Sequence, residues 1–206
     1  MENFKETPEQ TATTRFDRAA LESRLKESRP FEAGAPSQMA DTPIHTQGDQ
    51  PDCLLQSARM AEHKQTGLDP GLEAYKQPAV EQGLYDRAHG TDMQKFVDVI
   101  NERPGMEAQL KYADGPQDIK DALDKGQSVI GGVDAYEFYK GQYNLEPNSG
   151  GHAVVVTGAE QAPDGSWDFR VNDPNFDTPN MGSKNFLPAW DAANRPMITM
   201  QKTGGA

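Results

Sequence analysis

Apolar residues recur at helical spacing in three stretches of this 206-residue chain. One stripe begins at Cys53 and ends at Gly67, a residue suited to a helix C-terminus. A second covers residues 92–103 and follows a capping box that begins at Thr91. A third extends over residues 116–126, with proline at its start and glycine at its end. The pattern therefore predicts three amphipathic helices.

Short apolar runs rich in β-branched residues predict strands in the second half of the chain. They cover residues 128–133, 153–157, 167–172 and 197–200. A turn signal at residues 163–166 separates the second strand from the third. Residues 134–149 combine aromatic and charged side chains and are predicted to form a lid or loop. Helices followed by antiparallel strands predict an α+β domain.

The first 44 residues differ in composition from the rest. They are rich in proline, threonine, serine and glutamate and poor in large apolar residues. We expect residues 1–44 to be a disordered or loosely docked leader and residues 45–206 to form one compact domain. A docking or delivery role for the leader is the alternative interpretation.

The net charge and the N-terminal sequence exclude several classes of binding partner and location. The net charge of −12 argues against nucleic acid and against an anionic membrane surface. No apolar run is long enough to span a bilayer, and no basic segment followed by an apolar stretch opens the chain. We expect a protein that is cytoplasmic, or that is translocated without a cleaved signal peptide. Its oligomeric state is left open.

The chain has a single cysteine, Cys53. A lone thiol cannot form an internal disulfide or a thiolate-rich structural zinc site, so it is either a small buried residue or a nucleophile. Its place at the start of a predicted helix favours the nucleophile, because the positive end of a helix dipole lowers the pKa of a thiol. Cys53 is therefore the candidate nucleophile.

Strand spacing joins His152 to Asp173. If the chain turns near residues 162–165, His152 lies opposite a residue between 173 and 177, at the same end of the sheet. Opposed side chains in such a pair are about 5 Å apart at Cβ, which lets a carboxylate orient an imidazole. His152 is the candidate base and Asp173 the candidate orienting acid, with Asn172 as the local competitor for that role.

A cysteine that attacks an amide carbonyl, with a histidine base and an orienting acid, would act as a cysteine hydrolase. Such a site also needs hydrogen-bond donors for the oxyanion that the attack creates. The backbone N–H of Cys53 is one candidate, and the amide of Gln47 is the other, with Gln50 as its rival. The remaining histidines, His45, His63 and His89, lack a metal-binding spacing and are expected to be solvated. No metal or cofactor is expected.

Several short motifs resemble the bacteriocin-processing peptidases and their papain-like relatives. The likeness extends over roughly residues 44–201, although leucine at position 54 stands where that family has glycine. It rests on Gln47 to Cys53, Asp118 to Ile130, Gly151 to Val156, Val171 to Pro174 and Phe186 to Trp190.

The resemblance implies a papain-like fold in which an N-terminal helical part carries the nucleophile and packs on a mostly antiparallel sheet. It implies Cys53 as nucleophile, His152 as base, Asp173 as orienting acid and Gln47 in the oxyanion hole. The expected activity is that of a cysteine peptidase acting on a protein or peptide. A protein-glutamine deamidase, as in freestanding bacterial effectors and toxins, is the alternative, and a non-catalytic binding module of the same fold is the third hypothesis.

Overall fold

The computed structural model describes residues 38–88, 90–142, 145–147 and 149–204. Within these ranges the helices are α1 (Cys53–Thr66), α2 (Glu73–Glu81), α3 (Met93–Asn101), α4 (Pro116–Asp124), α5 (Ala135–Phe138) and α6 (Phe186–Ala192). The strands are β1 (Tyr85–Asp86), β2 (Gly90–Thr91), β3 (Met106–Tyr112), β4 (Ser128–Asp134), β5 (Gly151–Gln161), β6 (Trp167–Asn172), β7 (Met181–Gly182) and β8 (Pro196–Lys202).

Six of these strands form one antiparallel sheet in the order β3-β8-β4-β5-β6-β7. The C-terminal strand β8 lies between β3 and β4, so the sheet is completed by the last part of the chain. The short strands β1 and β2 pair with each other only in a separate hairpin. The α+β class predicted from the order of the elements is confirmed.

Alternation along the central strands divides the core into two layers. In β5, Val154 and Val156 pack with α4, α5 and α6 on one face of the sheet. Ala153 and Val155 pack on the other face with α1, α2 and α3. Successive side chains of a strand point to opposite faces, so a continuous apolar strand is buried on both sides.

The predicted helices are present, with one capping residue corrected. Helix α1 ends at Gly67, which has the left-handed conformation and donates its N–H to His63. Helix α3 is capped by Asp92, whose carboxylate accepts from the backbone N–H groups of Gln94 and Lys95. The prediction of Thr91 as the cap is therefore wrong, because a neighbouring carboxylate is the better acceptor at the positive helix end.

Two segments differ from the sequence-based expectation. Strand β3 was not predicted, because three of its seven residues are charged or amide side chains and none is β-branched. Residues 134–149 were predicted to be a lid or loop, but α5 lies within them and Phe138 and Tyr139 are buried in the core. The interpretation of that segment as a surface lid is wrong for its first half.

Part of the predicted leader contacts the domain. Met39 is buried in the α4 layer and donates its backbone N–H to Thr157. The backbone oxygen of Thr42 accepts from the side-chain amide of Asn172 at 2.9 Å. Residues 38–44 thus dock on the sheet, whereas residues 1–37 lie outside the described residues, and their assignment as a leader stays a prediction.

Candidate active site

Cys53 is the first residue of α1, and its side chain is half-buried. The helix is fixed against the sheet by apolar side chains such as Leu55 and Ala58, which are fully buried. The hydroxyl of Ser57 donates to the backbone oxygen of Ala153 at 3.1 Å. This bond joins the N-terminal half of α1 to β5 one residue beyond His152, so it places the thiol beside the imidazole.

His152 is the second residue of β5, and its side chain is almost completely buried. Its Nε2 atom lies 2.8 Å from Oδ1 of Asp173, which follows the last residue of β6 and is fully buried. The strand register accounts for their proximity, because Val155, three residues after His152, pairs with Asn172, the neighbour of Asp173. The predicted proximity of His152 and Asp173 is confirmed by the 2.8 Å contact.

The site lies where the two layers of the core meet. His152 has the strand parity of Val154 and Val156, which face the α4 layer, whereas Cys53 packs in the α1 layer. The thiol and the imidazole therefore approach each other around the end of β5. A site in this position has one wall from each layer.

Cys53 and His152 are near enough for each side chain to change the pKa of the other. Burial alone would raise the pKa of Cys53, but the imidazole of His152, its positive charge and the N–H groups of Ala153 and Leu54 lower it overall. Burial alone would lower the pKa of His152, but Asp173 and Cys53 raise it to about 10. Opposite shifts of this kind favour a thiolate–imidazolium pair.

Asn172, the competitor of Asp173, is engaged elsewhere. Its side-chain amide donates to the backbone oxygen of Thr42, and its Oδ1 accepts from the backbone N–H of Asn180 at 2.7 Å. It therefore ties two loops to the end of β6. Of the two neighbours, Asp173 is the residue whose side chain contacts the imidazole.

Gln47 lies in a loop that is held at two points. Its backbone N–H donates to the backbone oxygen of Pro174, next to Asp173, at 2.8 Å. The side chain of Gln56, on α1, donates to the backbone oxygen of Thr46 at 2.8 Å. Gln47 is half-buried and its Oε1 has no hydrogen-bond partner among the described residues, whereas Gln50 is exposed. Its oxyanion role stays a prediction.

The sequence did not indicate Tyr139, whose hydroxyl contacts the candidate base and its acid. It lies 3.0 Å from Nε2 of His152 and donates to Oδ2 of Asp173 at 2.8 Å. The signal that could have found it is strand pairing, because Val133 of β4 is the partner of His152 and the chain continues from there into α5. Residues just after β4 therefore lie beside the imidazole.

Asp52 immediately precedes Cys53, the candidate nucleophile, and is buried. Its Oδ2 forms an ion pair with Nζ of Lys76 at 2.8 Å, and its side chain makes no capping bond to α1. An unpaired carboxylate here would disfavour a thiolate at the next residue. Lys76 therefore neutralises a charge that opposes ionisation of Cys53.

His45 and His63 lie together on the α1 side of the domain, and the prediction that they are solvated is wrong. Both are half-buried, with Nε2 of His45 3.1 Å from Nδ1 of His63. The ring centroids are 5.4 Å apart and the rings nearly coplanar, so each nitrogen points directly at the other ring. Burial and the nearby Arg59 lower the pKa of His45, which favours the neutral ring. His89 lies outside the described residues.

Asp69 completes a group that could be considered for a metal ion. A bound zinc ion lies about 2.0–2.1 Å from each imidazole nitrogen, with the two rings converging on it at an angle. Collinear rings point at each other instead, and Arg59 binds both carboxylate oxygens of Asp69, at 2.7 and 2.6 Å. The geometry is that of a hydrogen bond between imidazoles, and we assign it that role.

Comparison with solved structures identifies the architecture. A protein from Bacillus anthracis described as a C39-like peptidase superposes with a TM-score of 0.59, covering 84% of this chain and all of that one at 13% identity. The chain has the papain-like fold. The proform of the ragweed pollen allergen Amb a 11, a cysteine protease, superposes with a TM-score of 0.50 at 12% identity, covering 91% of this chain and 74% of that one.

Sequence comparison adds nothing to this result. No protein-family model and no curated protein matches the chain. The papain-like fold that the sequence motifs implied is confirmed by the structural comparison. Helix α1 carries Cys53 and packs against an antiparallel sheet. No helix in the described part of the chain has the length and apolar character needed to cross a membrane.

Proposed function

We propose that this papain-like protein is a cysteine hydrolase that cleaves an amide through Cys53, His152 and Asp173. The observation that carries the proposal is the 2.8 Å contact of His152 with Asp173 at the start of β5, next to Cys53, with the pKa of Cys53 lowered and that of His152 raised. A thiol with these neighbours is an activated nucleophile. Asp173 holds the imidazole in orientation and stabilises its positive charge.

The first half of the reaction forms a thioester. The Cys53 thiolate attacks the carbonyl carbon of the amide, and the carbonyl π electrons move to oxygen. The oxyanion is stabilised by the backbone N–H of Cys53 and by the side-chain amide of Gln47. When the C–N bond breaks, the His152 imidazolium gives its proton to the departing nitrogen. His152 is left neutral, and the acyl group is bonded to sulfur.

The second half regenerates the enzyme. Neutral His152 takes a proton from water, the water oxygen bonds to the acyl carbon, and the C–S bond breaks to return the thiolate. The leaving group of the first half decides the activity. If it is a peptide amine the protein is a peptidase, and if it is ammonia from a glutamine side chain it is a deamidase.

We favour the peptidase because two solved structures that share the fold are described as a C39-like peptidase and a cysteine protease. The glutamine deamidase of an effector or toxin uses the same residues and the same thioester. A protein or peptide is the substrate in both cases. The cleft walls that select it come from both layers of the core.

Intact-mass spectrometry of protein substrates tests the proposal. A panel of unfolded proteins and glutamine-containing peptides is incubated with wild type and with Cys53→Ala. Wild type carrying a carbamidomethyl group serves as a matched control, because the chain has one thiol to modify. We expect fragments that appear with wild type alone. A mass gain of about one dalton on an uncut protein would instead identify the deamidase.

One result overturns both activities. If no substrate in the panel changes and no acyl-enzyme can be trapped at Cys53, the protein is a binding module with the same fold. Circular dichroism of Cys53→Ala shows that lost activity is not lost folding. We expect its spectrum to match that of wild type, because Cys53 is half-buried and its replacement leaves only a small space.

A further inference from the structure

Tyr139 directly follows α5, and its side chain is buried next to the base. Its hydroxyl lies 3.0 Å from Nε2 of His152 and 2.8 Å from Oδ2 of Asp173. The side-chain amide of Asn175 donates to the same hydroxyl at 2.6 Å. One phenolic oxygen thus contacts both members of the imidazole–carboxylate pair, and a third residue holds it there.

The hydrogens of this group can be assigned by counting donors and acceptors. A phenolic hydroxyl has one proton and accepts through its lone pairs, and an ionised carboxylate only accepts. The proton of Tyr139 therefore goes to Oδ2 of Asp173. Its oxygen already accepts from Asn175, and it presents its remaining acceptor capacity to His152.

Two acceptors consequently face the same nitrogen of His152. Nε2 lies 2.8 Å from Oδ1 of Asp173 and 3.0 Å from the phenolic oxygen. A nitrogen between two acceptors carries a proton, and the tautomer of an imidazole is set by the bonds of its far nitrogen. Nδ1 is then the nitrogen left to exchange a proton with Cys53.

Asp173 is held by the same group. Its Oδ1 accepts from the backbone N–H of Asn175 at 2.9 Å as well as from His152, and Oδ2 accepts from Tyr139. The carboxylate therefore has a fixed plane. His152, Asp173 and Tyr139 come from three different segments of the chain. The hydroxyl of Tyr139 therefore joins the start of β5 to the loop after β6 and to the end of α5.

Resting on the function proposed above, we propose that Tyr139 is a positioning residue for the base. Its hydroxyl fixes the tautomer of His152 with the proton on Nε2 and fixes the plane of Asp173. It does not contact substrate, and it acts through the imidazole. Without it, the ring samples orientations in which Nδ1 no longer meets the thiol, and the thiolate fraction of Cys53 falls.

The test is the pH dependence of Cys53 alkylation by iodoacetamide, followed by intact mass, in wild type and Tyr139→Phe. The reagent reacts with the thiolate, so the acid limb of the rate reports ionisation of Cys53 without any need for a substrate. Tyr136→Phe is the matched control, because it removes the same atom three residues away, on α5, where Lys140 lies over the ring. Thermal unfolding of each variant is measured in parallel.

We expect the acid limb of Tyr139→Phe to move to higher pH, and its alkylation rate below the ordinary thiol pKa to fall about 10-fold. The Tyr136→Phe profile should match wild type. A Tyr139→Phe profile identical to that of wild type would overturn the proposal, even with a lower melting temperature, because a purely structural tyrosine changes stability without changing thiol ionisation.

A second variant decides the matter if Tyr139→Phe does not fold. Asn175→Ala removes the donor that holds the hydroxyl and should move the acid limb in the same direction by a smaller amount. An unchanged limb would overturn the proposal. Failure of the proposed function looks different, since wild type itself would then be alkylated with the profile of an ordinary thiol.

Discussion

The Nε2 atom of His152 lies 2.8 Å from Oδ1 of Asp173, although regular pairing of their strands ends at Val155 and Asn172. The carboxylate of Asp173 thus contacts the imidazole just beyond the last paired residues of β5 and β6, where strand pairing does not fix the direction of its side chain. Both groups are almost fully buried, so the charge of one is felt strongly by the other. The raised pKa of His152 follows in large part from this contact.

Removing the charge of Asp173 while keeping the shape of its side chain should change the pH range of the proposed activity. Asp173→Asn keeps an oxygen that can accept from Nε2 but removes the negative charge, which is one cause of the raised His152 pKa of about 10. We expect the pKa of His152 to fall and the imidazolium to be lost at lower pH. NMR titration of the imidazole, together with activity against pH, measures the shift.

Asp168→Asn is the control for this substitution. It removes the same charge from an exposed position on the same hairpin. We expect the NMR titration of the His152 imidazole in this variant to match that of wild type. An Asp173→Asn variant with an unaltered alkaline limb would contradict the assignment of Asp173 as the source of the shift.

Activity of wild type should depend on pH as a bell. The thiolate is lost as pH falls through the lowered pKa of Cys53, and the imidazolium is lost as pH rises through the raised pKa of His152, about 10. Initial rates of substrate cleavage under subsaturating conditions report these two ionisations of the free enzyme. An alkaline limb close to the ordinary histidine pKa would show that the pair is not formed.

Separate substitutions of Gln47 and Gln50 show which of the two side chains donates to the oxyanion. Loss of one such donor lowers kcat by about 10²–10³-fold. We expect this loss for Gln47→Ala and an unchanged kcat for Gln50→Ala, because Gln50 is exposed whereas Gln47 is held beside Pro174. Steady-state kinetics on the identified substrate makes the comparison. The opposite result would assign the role to Gln50.

Lys76→Met should affect both stability and thiol ionisation. It leaves the buried Asp52 without its partner, at a cost of about 3 kcal/mol in the free energy of unfolding. An uncompensated carboxylate next to Cys53 should also slow alkylation at low pH. Chemical denaturation and iodoacetamide kinetics measure the two effects.

Lys64→Met provides the comparison for Lys76→Met. Lys64 is also paired with an aspartate, but that partner, Asp41, is mostly exposed. We expect a change in the free energy of unfolding below about 1 kcal/mol and no change in alkylation. Equal destabilisation by the two substitutions would show that burial of Asp52 has no bearing on the cost.

Much of the sheet and of the site could be predicted from local sequence. The turn between β5 and β6 fixes their register, and the register brings His152 and Asp173 to the same end of the two strands. The first turn of α1 was recognisable from apolar spacing after Cys53. These features depend on periodicity and on residues close in the chain, which a sequence displays directly.

The features that were missed depend on contacts between distant segments. Tyr139 joins the site because β4 pairs with β5, a relation that no local pattern of aromatic residues reveals. The bond between His45 and His63 depends on how a loop lies on α1. Strand β3 lies at an edge of the sheet, where one face needs no apolar side chains, so its sequence resembles a polar loop.

The position of β8 between β3 and β4 has a consequence for folding during synthesis on the ribosome. Cys53 emerges early, but Ser57, on the same helix, finds its partner in Ala153, 96 residues later. The centre of the sheet stays open until residues 196–202 have been made. Contacts so distant in sequence form slowly. In the nascent chain Cys53 and His152 therefore lack their supporting sheet until β8 has been made, and the proposed activity should appear only after that strand has been inserted.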